Sequence, residues 1–207
     1  MKYESLIKIF ADRQWIETQE VAFWFDEPLR QIQVRLSRWV QQGKLIQLRK
    51  GKYLLPEVYH RKRGSTYTIS NYLYSPSYVS QETALEYYGI IPESVSGIQS
   101  VTTRPTKEWN TPIGKFYYHH IKQERFFGYQ QVNLMGSETF YCATPEKALT
   151  DLLYFKKGEW TKSRIQEMRL QNLEQIDLNT LNGIGDLMNS KKVIRAIKTF
   201  STIRKDL

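Results

Sequence analysis

The chain is poor in the residues that most often carry chemistry. Cys142 is its only cysteine, and its histidines stand at 60, 119 and 120. A single cysteine excludes an intrachain disulfide and agrees with a reducing, cytoplasmic setting. His119 and His120 are adjacent on a strand-like run, so they point to opposite faces and do not converge on one metal. No run approaches the roughly 20 apolar residues that a membrane-spanning helix needs, so no membrane partner is expected. The opening MKYESLIKIFADRQW carries acidic residues early and has no small-residue cleavage site, unlike a signal peptide. No Ser-His-Asp spacing, phosphate-cradling glycine loop or paired carboxylate stands out. The expectation is therefore a protein that is not an enzyme and holds no metal or cofactor. An enzyme acting on nucleic acid is the reading with the least support.

What is abundant is aromatic and basic. Hydrophobic residues make up 41% of the 207 residues and aromatics 14%, enough for folded cores. The net charge is +9, unevenly spread. Residues 1–65 hold 13 Lys/Arg against 7 Asp/Glu, a net of +6; residues 66–160 hold 8 against 9, a net of −1; residues 161–207 hold 9 against 5, a net of +4. A basic first segment beside a neutral middle fits a nucleic-acid module joined to a domain with another task.

The stretch from Leu29 to Pro56, LRQIQVRLSRWVQQGKLIQLRKGKYLLP, is the most informative. Leu29, Ile32, Leu36 and Trp39 or Val40 recur at helical spacing and form one apolar stripe. Asp26 is a candidate cap and Pro28 suits the first turn. Gly43 ends the helix, because just past the last turn a residue without Cβ is favoured. The opposite face carries Arg30, Gln31, Val34, Ser37, Arg38 and Gln41, with Gln33 and Arg35 on its flanks and no acidic residue. Arg and Gln have the donor patterns that read guanine and adenine edges in the major groove. The alternative is a solvated face that happens to be basic.

Two strand-like runs follow, 44–48 and 52–55, with Arg49-Lys50-Gly51 turning between them. Paired cations at a hairpin tip suit a phosphate backbone or the minor groove. Upstream, Leu6, Ile7, Ile9 and Phe10 mark a helix near 3–12. Thr18 reads as the N-cap of a second helix that buries Val21, Ala22 and Phe25. Helix, helix, longer helix and basic hairpin is the outline of a winged helix-turn-helix.

Beyond Pro56, residues 60–65, HRKRGS, read as a basic connector that touches phosphate or simply links. The run 67–73 is strand or helix by its pattern. Ser80 opens, and Gly89 ends, a short helix. Strands are expected over 98–103, 115–121, 126–132 and 138–143, with 110–114 as a separator. Thr144-Pro145-Glu146 starts a helix running to about Phe155. Helical periodicity continues after Trp160, and a final helix covers about 191–202. The fold class is α+β. Residues 1–65 form the winged helix-turn-helix with its connector. Residues 66–160 form a mixed α/β domain, and 161–207 its helical C-terminal extension.

Three segments together resemble the AbiEi family of antitoxins and transcriptional regulators, found in bacterial abortive-infection (type IV toxin–antitoxin) loci. They are QGKLIQLRKGKY at 42–53, YVSQETALEYYG at 78–89 and ATPEKALTD at 143–151. The resemblance spans most of 29–155. It implies an N-terminal winged helix that binds double-stranded operator DNA at its own promoter and represses its own operon. It also implies a second domain that neutralises a nucleotidyltransferase-like toxin without a stable complex.

On this reading Arg30, Gln31, Val34 and Arg38 face base edges and Arg35 lies near the backbone. Arg49, Lys50 and Lys52 hold the hairpin to phosphate or the minor groove. Lys147 and Asp151, one helical turn apart, form either an ordinary ion pair of about 0.3–0.5 kcal/mol or a structural or interaction element. The middle segment's many tyrosines and phenylalanines pack cores or stack on bases, and its neutral charge argues against a nucleic-acid channel. In the competing reading, the middle domain is a protein-interaction module that binds a toxin or other partner directly. No coiled-coil dimerisation element is present, and the oligomeric state stays open. The final basic helix is an interface, a DNA contact or a cap.

Overall fold

The computed structural model describes residues 1–59, 61, 64–92, 95–134 and 138–205. Of the basic connector, His60, Lys62 and Arg63 lie outside the described residues. The fold is mixed α+β and divides into two compact units: residues 1–69 with 109–114, and residues 70–108 with 115–207.

In the first unit, α1 (Tyr3–Phe10), β1 (Ile16–Glu17), α2 (Thr18–Phe25) and α3 (Leu29–Gln41) precede a hairpin of β2 (Ile46–Arg49) and β3 (Lys52–Leu54). The strands form an antiparallel sheet in the order β1-β3-β2. Leu6, Phe10, Ile16, Val21, Ile32, Leu36, Trp39, Leu45, Tyr53 and Leu55 close the core. Three of the four expected stripe positions of α3 are buried: Ile32, Leu36 and Trp39. Leu29 is not, being 43% exposed, because the helix begins there and its first turn overhangs the core.

The helix ends also differ in part from expectation. Asp26 caps nothing in α3; it ends α2 in the left-handed region (φ 47°), and Pro28 takes the N-cap position. Thr18 lies inside α2, with Glu17 at the N-cap and no side-chain cap bond. Gly43 (φ +69°) does end α3: its N–H donates to the Val40 carbonyl (3.0 Å) and that of Lys44 to Trp39 (2.8 Å). This pair of bonds satisfies carbonyls that a helix end otherwise leaves open.

The second unit follows α4 (Thr66–Leu73), a helix where the pattern had left helix and strand open. The further elements are β4 (Ser77–Val79), α5 (Gln81–Tyr87), β5 (Ile98–Thr102), β6 (Lys107–Thr111), β7 (Gly114–His120), β8 (Tyr129–Asn133), β9 (Thr139–Ala143) and α6 (Pro145–Phe155), of which residues 109–114 in β6 and at the start of β7 group with the first unit. The last helices are α7 (Lys162–Glu167), α8 (Leu178–Met188) and α9 (Lys191–Lys205). The sheet order is β6-β7-β5-β4-β9-β8, with β4–β9 and β5–β7 parallel and β4–β5 and β8–β9 antiparallel. β6 was not expected, and its last two residues, Asn110 and Thr111, fall in the expected separator. It is an edge strand, half wet and polar, so no apolar run announces it.

Ser70 of α4 bonds Ser100 (2.8 Å) and receives the Tyr118 hydroxyl on its carbonyl (2.8 Å), which seats this part of α4 on one face of the sheet. α6 packs with α5, α8 and α9, and every side chain from Glu146 to Leu153 is buried. Thr144 caps α6 by accepting from Lys147 N–H, with Pro145 in the first turn, as the sequence indicates.

Cys142 is fully buried on β9, opposite Val79. Burial pushes its thiol up to about 12. At pH 8 the native protein is therefore expected to resist thiol-reactive dyes, and unfolding in denaturant to release one equivalent; fast native labelling would contradict this packing.

Candidate nucleic-acid interface

The outward face of α3 is built by subtraction. Burying Ile32, Leu36 and Trp39 leaves Arg30, Gln31, Val34 and Arg38 pointing away from the core. With Arg35 they line one depression of about 340 Å³. Among the described residues, neither Arg30 nor Arg38 makes an ion pair, and no carboxylate lines the depression. Val34, at 48% exposure, adds an apolar spot between the arginines.

Arg35 differs from them. Its guanidinium donates to both Glu27 oxygens (3.0 and 2.9 Å) and to the Met1 carbonyl (3.0 Å). In the free chain it ties the α2–α3 turn to the N-terminal segment.

The three hairpin cations also separate. β1 and β3 align Glu17 opposite Lys52, and their side chains pair at 3.2 Å. Burial lowers the pKa of the Lys52 ammonium, with Glu17 opposing that shift. Arg49 has a buried Nε and lays its guanidinium over the Trp109 ring at 5.4 Å, both residues belonging to the first unit. Lys50, exposed at the tip, makes no ion pair among the described residues. Gly51 turns the chain at φ +83°, and its carbonyl accepts from Thr18 N–H at 3.1 Å, which fastens the hairpin to the start of α2.

A second cleft, about 600 Å³, lies between the hairpin, the start of α2 and one side of α3. Gln33 and Ser37 line it from α3, Gln47 from β2 and Gln19 from α2. Gln33 and Ser37 lie on or beside the expected α3 face. Gln19 and Gln47 carried no sequence signal, since glutamine on a short strand or helix start is unremarkable without the tertiary fold.

Lys147 and Asp151 are brought together, but not at the surface. Both are fully buried and ion-paired one turn apart on α6. Asp151 also accepts from Tyr78 (3.0 Å) and Ser80 (2.8 Å). The Lys147 ammonium sits over the rings of Tyr78 and Phe127 (5.8 and 5.1 Å). Burial first, then the Asp151 carboxylate, raises the Tyr78 phenol well above its usual range, so it stays a donor. The surface-pair magnitude does not apply to this cluster. It ties α6 to β4 from the core.

His119 packs its half-buried ring against Phe155, and burial lowers its pKa. The exposed His120 places Nδ1 3.1 Å from the Arg104 carbonyl. No group of three or more metal-ligating side chains occurs among the described residues, and none of their helices is long and apolar enough to cross a membrane.

No protein-family model matches the chain, and no curated protein matches it.

Asp151→Ala is expected to cost about 3–5 kcal/mol in chemical denaturation, because it strands a buried ammonium. Lys147→Met combined with Asp151→Leu should lose less than Asp151→Ala alone. A loss below about 1 kcal/mol for Asp151→Ala would mean that water reaches the pair.

Proposed function

We propose that the chain is a DNA-binding transcriptional regulator whose first unit is a winged helix-turn-helix with α3 as the recognition helix. One observation carries this reading: α3 turns outward two arginines, Arg30 and Arg38, that make no ion pair among the described residues, beside Gln31 and Val34 and with no carboxylate among them. Two arginines left unneutralised on one helix face repel each other and gain most from an anionic partner. The order α1-β1-α2-α3-β2-β3 and the basic hairpin tip support the same reading. The likeness to AbiEi antitoxins extends it to repression of the chain's own operon and neutralisation of a nucleotidyltransferase-like toxin by the second unit.

The roles follow from the contacts. Arg30, Gln31 and Arg38 supply donors to base edges in the major groove, and Val34 suits a thymine methyl. Lys50 serves phosphate. Arg35 and Lys52 act first through Glu27 and Glu17, holding the helix and hairpin in place. Arg49 is divided between Trp109 and solvent. A buried Lys147–Asp151 pair favours a packing role in the second unit over direct contact with a toxin.

Binding of the purified protein to its own upstream promoter and to scrambled duplex, across a salt series, tests this reading. Promoter-selective binding that persists near physiological salt is expected; equal and salt-fragile binding to both would reduce the first unit to an electrostatic patch. Arg38→Ala should cost about 1–3 kcal/mol on the promoter and relax selection at one position. Lys50→Ala should weaken all duplexes alike and reduce the salt slope by about 1. Equal losses on promoter and scrambled DNA for Arg38→Ala would remove it from base reading.

A further inference from the structure

The second unit holds a cavity of its own, about 380 Å³, where the end of α6 meets α5 and α7. Ile91, Leu152 and Trp160, all buried, make an apolar floor, and Val95 and Met168 extend it. Four charged side chains stand around this floor: Glu82, Lys156, Arg164 and Glu167. They are not equivalent. Glu82 pairs one oxygen with the Lys156 ammonium (2.6 Å), and its other oxygen is buried. It therefore holds Lys156 in place and offers little acceptor surface to a ligand. Glu167, exposed, already accepts from the Ser163 hydroxyl (3.1 Å). Arg164 is fixed from several sides. Its guanidinium lies over the Trp160 ring at 4.0 Å, and one terminal nitrogen donates to the Glu159 carbonyl (2.9 Å). The same nitrogen lies so near Gly158 that a Cβ there would come within 3.0 Å of it. Arg164 makes no ion pair among the described residues. The end of a helix ordinarily repels an anion, because unpaired carbonyls gather there. At the end of α6 those carbonyls are occupied. Trp160 Nε1 donates to Leu153 (3.0 Å), and Lys192 Nζ donates to Tyr154 (3.2 Å) and Lys156. Burial, then the charge of Arg164, lowers the pKa of Lys192, so positive charge is crowded at this corner. An apolar floor beneath two fixed cations, with the acids engaged, is complementary to a molecule with one negative end and an apolar body.

We propose that this cavity binds a small apolar monocarboxylate, with its carboxylate on Arg164 and Lys156 and its hydrocarbon or aryl body on Ile91, Leu152 and Met168. The planar donor fork of Arg164 matches a carboxylate. Its stacking on Trp160 sets the fork before a ligand arrives, which lowers the ordering cost of binding. An α-amino acid offers the same carboxylate but brings an ammonium beside two cations, and so fits less well. The site lies within the second unit and does not depend on the DNA-binding reading.

The test is titration of the full chain with phenylpropionate, followed by NMR at the Trp160 indole N–H. A saturable shift is expected. Phenylpropionamide, of the same shape without the charge, should bind about tenfold more weakly, and phenylalanine also more weakly than the plain acid. Arg164→Gln is expected to raise the Kd for phenylpropionate about tenfold, and Met168→Glu, which puts a repelling charge in the cavity wall, to do the same. Lys157→Gln removes an equal charge at an exposed residue outside the cavity, and should change Kd by less than about twofold through screening. Melting curves check that each variant is folded, and Met168→Glu carries the test if Arg164→Gln is not. Equal binding of acid and amide would overturn the carboxylate assignment. Tighter binding of phenylalanine would overturn the plain acid as the ligand class. If folded cavity variants bind phenylpropionate as Lys157→Gln does, the site is overturned; if millimolar phenylpropionate gives no saturable shift, the whole proposal is.

Discussion

The backbone reversal at Gly43 sets what the first unit presents. Two crossed bonds, from Gly43 to Val40 and from Lys44 to Trp39, close the end of α3 and direct the chain into β2. The left-handed φ there is inexpensive only for glycine. Trp39, whose carbonyl takes the second bond, is also buried in the core against Tyr3. The helix end, the core and the start of the hairpin thus share one residue. Had the helix run on by a turn, Leu45 would have left the core and the hairpin would have lost its register against β1. The fastening of Gly51 to Thr18 completes the arrangement from the other side. Helix face and hairpin therefore stand in a fixed relation before any partner arrives, which lowers the ordering cost of binding.

Charge in the first unit is sorted by the same frame. Arg35 and Lys52 sit on the flanks of α3 and on β3, where acids from neighbouring elements reach them. Arg30, Arg38 and Lys50 make no ion pair among the described residues. The difference lies in tertiary placement and not in residue type. It separates cations that hold the scaffold from cations that, on the proposed reading, meet DNA. The second unit inverts this use of charge. Lys147 and Asp151 are taken out of water entirely, and their desolvation is offset by Tyr78, Ser80 and the aromatic rings above the ammonium. Such a cluster adds little net stability relative to an apolar core but penalises any packing that separates its members. It fixes α6 against β4 in one register.

How much was legible depended on where the determining interaction lay. Gly43 and Thr144-Pro145 act on their own backbone, so both helix boundaries could be read locally. The stripe of Ile32, Leu36 and Trp39 is periodic, and its burial followed. Asp26 and Thr18 misled because capping types stood two positions and one position away from the actual caps; the turn was decided by Pro28 and by the strand pairing of Glu17 with Lys52. β1 spans two residues, too few for any period, and β6 is a polar edge. The burial of the Lys147–Asp151 pair was invisible because the partners of Asp151, Tyr78 and Ser80, lie about seventy residues away. Likewise the cleft unites Gln19, Gln33 and Gln47, which no sequence spacing connects.

The pairing of Arg35 and Lys52 also bears on how a nucleic acid would be discriminated. A surface on which every cation is free gains affinity mainly by counterion release, at a salt slope near 0.9 per neutralised phosphate, with no preference among sequences. Engaging two of the eight candidate interface side chains with Glu27 and Glu17 withdraws part of that non-specific term. Arg30 and Arg38 make no ion pair among the described residues, so on the regulator reading they, with Gln31 and Val34, stay available for groove contacts. Two internal ion pairs thus hold α3 and the hairpin in place while limiting attraction that any polyanion would satisfy. On the regulator reading, this shifts the balance from general affinity towards selection, which is what a repressor facing a genome of competing sites requires.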